Sequence, residues 1–566
     1  MTKNKGLYAA YPKKVQGMGQ TLAVAGVFCC LLVCTGCSGS AQNAVASKLA
    51  GPRIDWGMSL LASGSNGVGM SPAKFTFDIT AAPDCTNDFI AYNTGAAGAA
   101  GTAKIVAFNS LYSTQGSAGG LCDTNGPSVY WAYDTAGGSA AQALTSPVLS
   151  GDGSKIAFVD NSGSGATLRV LKWKAGEGTG VGTPATPDQD ISGMSWSACM
   201  VGNSCVASIA FNNVAGDTNS PPFYNYSTDV LYVGDNTGVL HKFTGVFKGT
   251  PTEITSGGWP LTVDSTTVLT GPVFDSVSGN IYIGDSSGVL SMIREVGSTV
   301  GTCTAPCVNS TLAVGGAGGG IVDTPIVDGT NEFVFAVNGR EGTNGGTILQ
   351  ASTDFSTSVV SFNIGNDTGD GAILYGGAFD NTYINSSAPS VAGHMYVCGK
   401  YHLHFDEPAI YQLSFTGAGV LSGVGTPLIN MTQVDDEACS PITEVYNGGT
   451  SKDWIFFSIG NNVNTGGAPI PAGSCATNGG GCVIGIDVTG GPSWPPANVN
   501  NTASVPANPT GSTSGIVVDN VSTSSQASNI YFSLGGNSTG TGPGLPSCNT
   551  TAGVGCAVKL TQSTLQ

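Results

Sequence analysis

Apolar residues along this chain come in short bursts, rich in β-branched and aromatic types and separated by runs of Gly, Ser, Thr and Asp. Lys155-Ile-Ala-Phe-Val159, Phe333-Val-Phe-Ala-Val337, Trp454-Ile-Phe-Phe457 and Ile530-Tyr-Phe-Ser-Leu534 are typical. Bursts of this length and composition predict strands, and the small residues between them predict tight turns. Outside the N-terminus no long stretch carries a helical period. One segment occurs twice, 50 residues apart: Asp229-Val-Leu-Tyr-Val-Gly-Asp-Asn-Thr-Gly-Val-Leu240 returns as Gly279-Asn-Ile-Tyr-Ile-Gly-Asp-Ser-Ser-Gly-Val-Leu290. Each copy reads as strand, Gly-Asp-x-x-Gly turn, strand. A lone hairpin cannot bury its apolar face, so such units must stack on one another.

Looser copies follow the same plan, in which a small residue and Pro precede a strand, a turn and an aromatic strand. Ser146-Pro147, Gly271-Pro272, Thr324-Pro325, Ala388-Pro389 and Ser440-Pro441 each open a unit, Ser514-Gly515 opens another, and Phe89–Tyr92 with Lys104–Phe108 marks an outlying first one. Proline suits the start of an innermost strand, where an N–H is dispensable. The pattern predicts an all-β fold, a single β-propeller of seven or eight four-stranded blades, with the first unit and the irregular 174–228 stretch leaving the count open. A string of β-sandwich domains is the competing architecture.

The Val-Tyr-Val-Gly-x-x-x-Gly-x-Leu pattern over residues 229–295 resembles the repeat of pyrroloquinoline-quinone-type propellers, a superfamily of quinoprotein dehydrogenases and outer-membrane assembly lipoproteins. The resemblance implies the fold. It does not bring the quinone with it, because the only adjacent cysteine pair, Cys29-Cys30, lies in the N-terminal segment and no Trp-bearing docking motif recurs. The chain also resembles exported proteins of soil bacteria, a likeness that carries no activity.

Charge changes the picture next. Lys plus Arg number 19 against 36 Asp plus Glu, giving a formal charge of −17. Nucleic acid and anionic lipid surfaces require clustered cations, so neither is expected as a partner. Four of the basic residues, Lys3, Lys5, Lys13 and Lys14, precede the apolar run Thr21–Cys34, which is too short to span a bilayer and ends in Thr35-Gly36-Cys37-Ser38. This resembles a bacterial lipoprotein signal with Cys37 as the acylated residue, although Cys34 stands where Leu is usual. The expected organisation is therefore a signal over 1–37, a flexible tether over 38–71 and the propeller over 72–566. The resemblance implies an outer-membrane lipoprotein facing the periplasm or the cell surface, in contact with the membrane through its anchor alone.

Cysteine usage agrees with export. Beyond the signal, 12 of the 16 cysteines fall into close couples: Cys85 and Cys122, Cys199 and Cys205, Cys303 and Cys307, Cys398 and Cys439, Cys475 and Cys482, Cys548 and Cys556. An even number at short spacing suits disulfides in an oxidising compartment, and with four histidines in the chain zinc is the weaker alternative.

Candidate chemistry is sparse. On a strand, His402, His404 and Asp406 would share one face and could hold a divalent metal. Asp435, Asp436 and Glu437 form a second acidic group, which a Cys398–Cys439 bridge would bring near the first. A solvated charged loop explains both equally. Gly284-Asp-Ser-Ser-Gly288 and Gly536-Asn-Ser-Thr-Gly540 match the nucleophile-elbow consensus, but strands flank the first and its twin has Asn236 at the serine position, so both read as turns. Ser150–Gly153 and Asn366–Gly371 read as turns rather than calcium loops. No catalytic set and no cofactor is expected. The function expected is non-catalytic binding of a protein or glycan of the cell envelope through the axial loops, by a monomer. An exported glycosidase or lyase with paired carboxylates, a diverged quinoprotein and an outer-membrane assembly scaffold are the alternatives.

Overall fold

The computed structural model describes residues 7–8, 53–62 and, apart from short breaks and the longer stretches 401–407, 431–438, 460–481, 502–512 and 535–553, residues 70–561. Its strands form eight antiparallel sheets of four principal strands each, arranged as an eight-bladed β-propeller. Blade 1 spans Ala73–Phe75 to Ser128–Tyr133, blade 2 Val148–Leu149 to Cys205–Ala210, and blade 3 Phe223–Asn225 to Leu261–Thr262. Blade 4 runs from Val273–Phe274 to Cys307–Ala313, blade 5 from Ile326–Asp328 to Val360–Asn363, and blade 6 from Ala378–Phe379 to Leu421–Val424. Blade 7 runs from Thr443–Asn447 to Val499–Asn501. The weak first unit is thus a true blade, and the count is eight.

Blade 8 takes three strands, Val517–Asn520, Ser528–Leu534 and Val554–Thr561, from the C-terminal end and its outermost strand, Arg53–Ala62, from the N-terminal side. This corrects the tether expected over 38–71. The segment Arg53-Ile-Asp-Trp-Gly-Met-Ser-Leu-Leu-Ala62 has the alternation of a strand and buries Trp56 and Leu60. A strand from the N-terminal side completes blade 8 and so ties the two ends of the ring together.

The core consists of eight apolar clusters, each drawn from two consecutive blades. Alternation makes this work. In blade 5, Phe335 and Val337 pack towards blade 6, while Val334 and Ala336 pack towards blade 4. Because both sheet faces are covered, the second strands read as unbroken apolar bursts rather than as a hydrophobic–polar alternation. The eighth cluster joins Trp56, Tyr531 and Ala557 of blade 8 to Ile90, Tyr92 and Phe108 of blade 1. Two buried ion pairs reinforce this seam: Asp55 to Lys559 at 3.1 Å within blade 8, and Lys74 of blade 1 to Asp519 of blade 8 at 2.8 Å.

The Pro-led openings have a common geometry. Pro147, Pro221, Pro272, Pro325 and Pro441 each stand one or two residues before a first strand. In blades 3, 4 and 7 the hydroxyl just upstream accepts an N–H from the end of the second strand: Ser220 Oγ from Gly234 at 2.9 Å, Thr270 Oγ1 from Gly284 at 3.0 Å, and Ser440 Oγ from Ser458 at 2.9 Å. Ser514 Oγ does the same for Ser533 at 2.9 Å, with Gly515 in place of Pro. A side-chain oxygen thus extends the ladder where the first strand is too short to do so. Blade 6 departs from the rule. Its first strand is Ala378–Phe379, and Ala388-Pro389 falls after the short helix Asn381–Ile384, in the connection to the second strand.

Strand directions define two faces. The upper face carries the second-to-third-strand turns and the crossovers between blades; the lower face carries the first-to-second and third-to-fourth connections. Arg53 pairs with Thr561 and Ala62 with Val554, so the N-terminal strand starts at the lower face and ends at the upper one.

Candidate functional site

On the lower face, a broad open cleft of about 510 Å³ lies between blades 1 and 2. Cys85 and Thr86 come from the first connection of blade 1, Asn109 and Ser110 from the end of its third strand, and Ser128–Tyr130 from the start of its fourth. Ala175 and Gly176, from the third-to-fourth connection of blade 2, close the outer wall. The irregularity of residues 174–188 has its cause here. This stretch adds to the free edge of blade 1, with Gly176 N–H donating to Tyr130 O at 2.8 Å, Ala132 N–H to Glu177 O at 2.9 Å, and Ala185 N–H to Ala132 O at 2.9 Å. Gly178, at the left-handed φ of +73°, passes so close to the Ala132 carbonyl that a Cβ would collide with it.

The walls are held in place. The Cys85–Cys122 disulfide pins the first connection to the third-to-fourth loop. Ser110 N–H donates to Cys85 O at 2.9 Å, and Asn109 Nδ2 donates to Thr86 O at 2.9 Å. Behind Tyr130 stands an aromatic stack: Trp173 at 5.1 Å and Phe89 at 5.9 Å between ring centroids, with Trp131 lying parallel to Trp173 at 5.8 Å. Trp173 Nε1 is anchored on Gly153 O at 2.8 Å. Burial, with the Asp84 carboxylate nearby, pushes the Tyr130 phenol up from its ordinary pKa, so it remains a hydrogen-bond donor.

The upper face offers a different feature. Asp323, in the crossover into blade 5, accepts Thr324 N–H and Gly376 N–H, both at 2.8 Å, and so ties two successive crossovers together. Burial raises its pKa despite these two donors, and burial with the Asp323 charge raises that of Tyr375. Val322 and Ile373 beside them are exposed. The carboxylate's lone pairs serve the crossovers, which is a positioning task.

His402, His404 and Asp406 fall between the second and third strands of blade 6, and Asp435, Asp436 and Glu437 in the crossover to blade 7; all six lie outside the described residues, as does Cys37. The signal over 1–37 lies outside them too, except for Leu7–Tyr8, which bridges to Ile326–Asp328. Four of the expected disulfides are formed: Cys85–Cys122, Cys199–Cys205, Cys303–Cys307 and Cys398–Cys439. Cys556 is also disulfide-bonded, whereas Cys475 and Cys548 lie outside the described residues. Among the described residues, no group of three His, Cys, Asp or Glu is placed to hold a metal. Gly284–Gly288 is a turn between Asn280–Gly284 and Val289–Arg294, and Ser150–Gly153 is a turn whose Asp152 carboxylate accepts from Ser150 and Ser154. Gly536–Gly540 and Asn366–Gly371 lie outside the described residues.

Sequence reasoning missed the cleft, since its residues come from three separate connections and none is charged. The doublet Tyr130-Trp131 with Trp173 was the one available signal. It also missed His241, which is buried between two carboxylates: Nδ1 lies 2.7 Å from Glu253 Oε1 and Nε2 3.4 Å from Asp235 Oδ2.

No family profile matches the chain, and no curated protein matches it in sequence. Solved structures do. The chain is similar to BamB from Moraxella catarrhalis at 12% identity over 87% of this chain and 97% of that one, with a TM-score of 0.35. It is similar to a chain of the mitotic checkpoint complex at 10% identity over 76% and 94%, TM-score 0.37, and to the WD40 propeller domain of Doa1 at 8% over 72% and 93%, TM-score 0.34.

Proposed function

We propose that this protein is a non-catalytic binding propeller, held to the bacterial envelope by acylated Cys37, that engages an envelope glycan or protein with its lower face. The observation that carries the reading is a coincidence of place. The N-terminal strand begins at the lower face of blade 8, and the cleft opens on the same face of blade 1, the neighbouring blade. With the strand starting at Arg53, the tether shortens to residues 38–52, roughly 55 Å at full extension. An anchor on that leash keeps the cleft within reach of the membrane-proximal layer. The engagement lies off the ring axis, unlike the axial loops expected from sequence. A formal charge of −17 favours neutral or cationic partners over anionic ones.

The test has two arms. Cells fed a labelled fatty acid should label the wild-type chain and not Cys37→Ala, which should leave the membrane fraction. The full chain in detergent should bind isolated cell-envelope fragments saturably. Label-free wild-type protein, or only non-saturable adsorption to the fragments, would each refute the corresponding half.

A further inference from the structure

The lining of the lower-face cleft is uncharged, hydroxyl- and amide-bearing on its walls and aromatic at one end. That combination selects among ligand chemistries. A phosphate or carboxylate would find no cation in the lining and would approach Asp84. A purely apolar ligand would strip water from Thr86, Ser110 and Ser128 without replacing its hydrogen bonds. A pyranose ring suits both parts, because its hydroxyls exchange hydrogen bonds with side chains of these types and its C–H face packs on an aromatic ring.

We propose that this cleft is a neutral-saccharide site, with Tyr130 as the packing platform and Thr86, Ser110 and Ser128 as its hydrogen-bonding walls; this rests on the binding reading above. Pre-organisation supports it. The Cys85–Cys122 bridge, the Asn109–Thr86 bond, the Gly176–Tyr130 bond and the ring stack of Phe89 and Trp173 all hold lining residues before any ligand arrives. A rigid site gives up little side-chain entropy on binding, which matters most for a ligand that gains little per contact.

The experiment is calorimetric titration of the full chain in detergent with cellotetraose, chitotetraose and maltotetraose. Saturable binding of at least one is expected, weakened at least tenfold by Tyr130→Ala and abolished by Ala175→Trp. Ala175 is exposed on the outer wall, so the indole fills the cleft without disturbing the core and keeps the test valid if Tyr130→Ala loosens the aromatic stack. Binding of none of the three, or binding indifferent to Ala175→Trp, overturns the proposal. The broader reading is tested separately: if Ala175→Trp still binds envelope fragments while no saccharide binds, the cleft is discarded and the binder stands.

Discussion

Blades 3 and 4 are built on one turn and diverge six residues after its aspartate. In blade 3, Asp235 Oδ1 accepts Thr237 N–H at 2.8 Å and Val239 N–H at 2.9 Å; in blade 4, Asp285 Oδ1 accepts Ser287 N–H at 2.9 Å and Val289 N–H at 3.0 Å. Gly238 and Gly288 close the two turns at φ of +86° and +83°, and a Cβ on Gly238 would strike the Asp264 carbonyl. The second carboxylate oxygen is where they differ. Blade 3 has His241, which reaches Asp235 Oδ2 and, through its other nitrogen, Glu253 near the outer edge. Blade 4 has Ser291, and Asp285 Oδ2 is buried without a hydrogen-bond partner among the described residues. One oxygen is enough to make the turn. In blade 3 the other accepts from Thr237 Oγ1 at 2.9 Å and is used by His241 to fasten the second, third and outer strands to one another.

The largest expected effect comes from removing the fastener. His241→Leu leaves Asp235 and Glu253 as buried carboxylates with no cation between them, and a loss of about 3–5 kcal/mol is expected from such a broken pair. Ser291→Ala at the matching site of blade 4 should cost less than about 1 kcal/mol. Denaturant midpoints of the two variants measure the contrast, and equal losses would remove the distinction between the blades.

The next effect is a pH dependence. Burial by itself would lower the His241 pKa, but the hydrogen bonds and charges of Asp235 and Glu253 outweigh it and raise the value above about 6.5. A group that holds its proton more tightly when folded contributes its full stability below the unfolded pKa, and that contribution drains away as pH rises through the folded pKa. Asp235 works at the other end. Burial opposes its charge, yet the bonds from His241, Val239 and Thr237 lower its pKa, so its share is lost as acid titrates the folded carboxylate. The melting temperature of the wild type should therefore fall towards that of His241→Gln as pH climbs from about 6 to 9. Parallel curves for the two proteins across that range would show that the imidazole is not charged in the fold.

The repeat was legible because it is local. The twin hairpins, four of the five Pro-led openings and four of the six cysteine couples have their counterparts in the ring. What could not be read is non-local. Arg53–Ala62 belongs to blade 8, whose other strands lie some 450 residues downstream, so nothing nearby reveals its partner. Ala388-Pro389 carries the opening signature without opening a blade, because a helix with Asp380 as its N-cap intervenes. The candidate site suffered most. Charge density drew the reading to His402–Glu407 and Asp435–Glu437, which lie outside the described residues, whereas the lower-face cleft is made of uncharged residues from three connections, a combination with no signature along the chain.

The smallest effect tests whether the spare oxygen in blade 4 is a cost. Asp285→Asn keeps an oxygen for the Ser287 and Val289 N–H groups and replaces the unpartnered carboxylate oxygen with an amide nitrogen. The turn should survive, and a buried charge is removed from a site where no cation offsets it. Stability should change by less than about 1 kcal/mol, in the favourable direction if the amide finds an acceptor. The same substitution in blade 3, Asp235→Asn, takes away a carboxylate that His241 uses and should destabilise. Opposite signs for one exchange at two copies of one turn would establish that the blades share a backbone solution and differ in what they have built on it; a loss of the same size at both would mean that the second oxygen serves the turn itself.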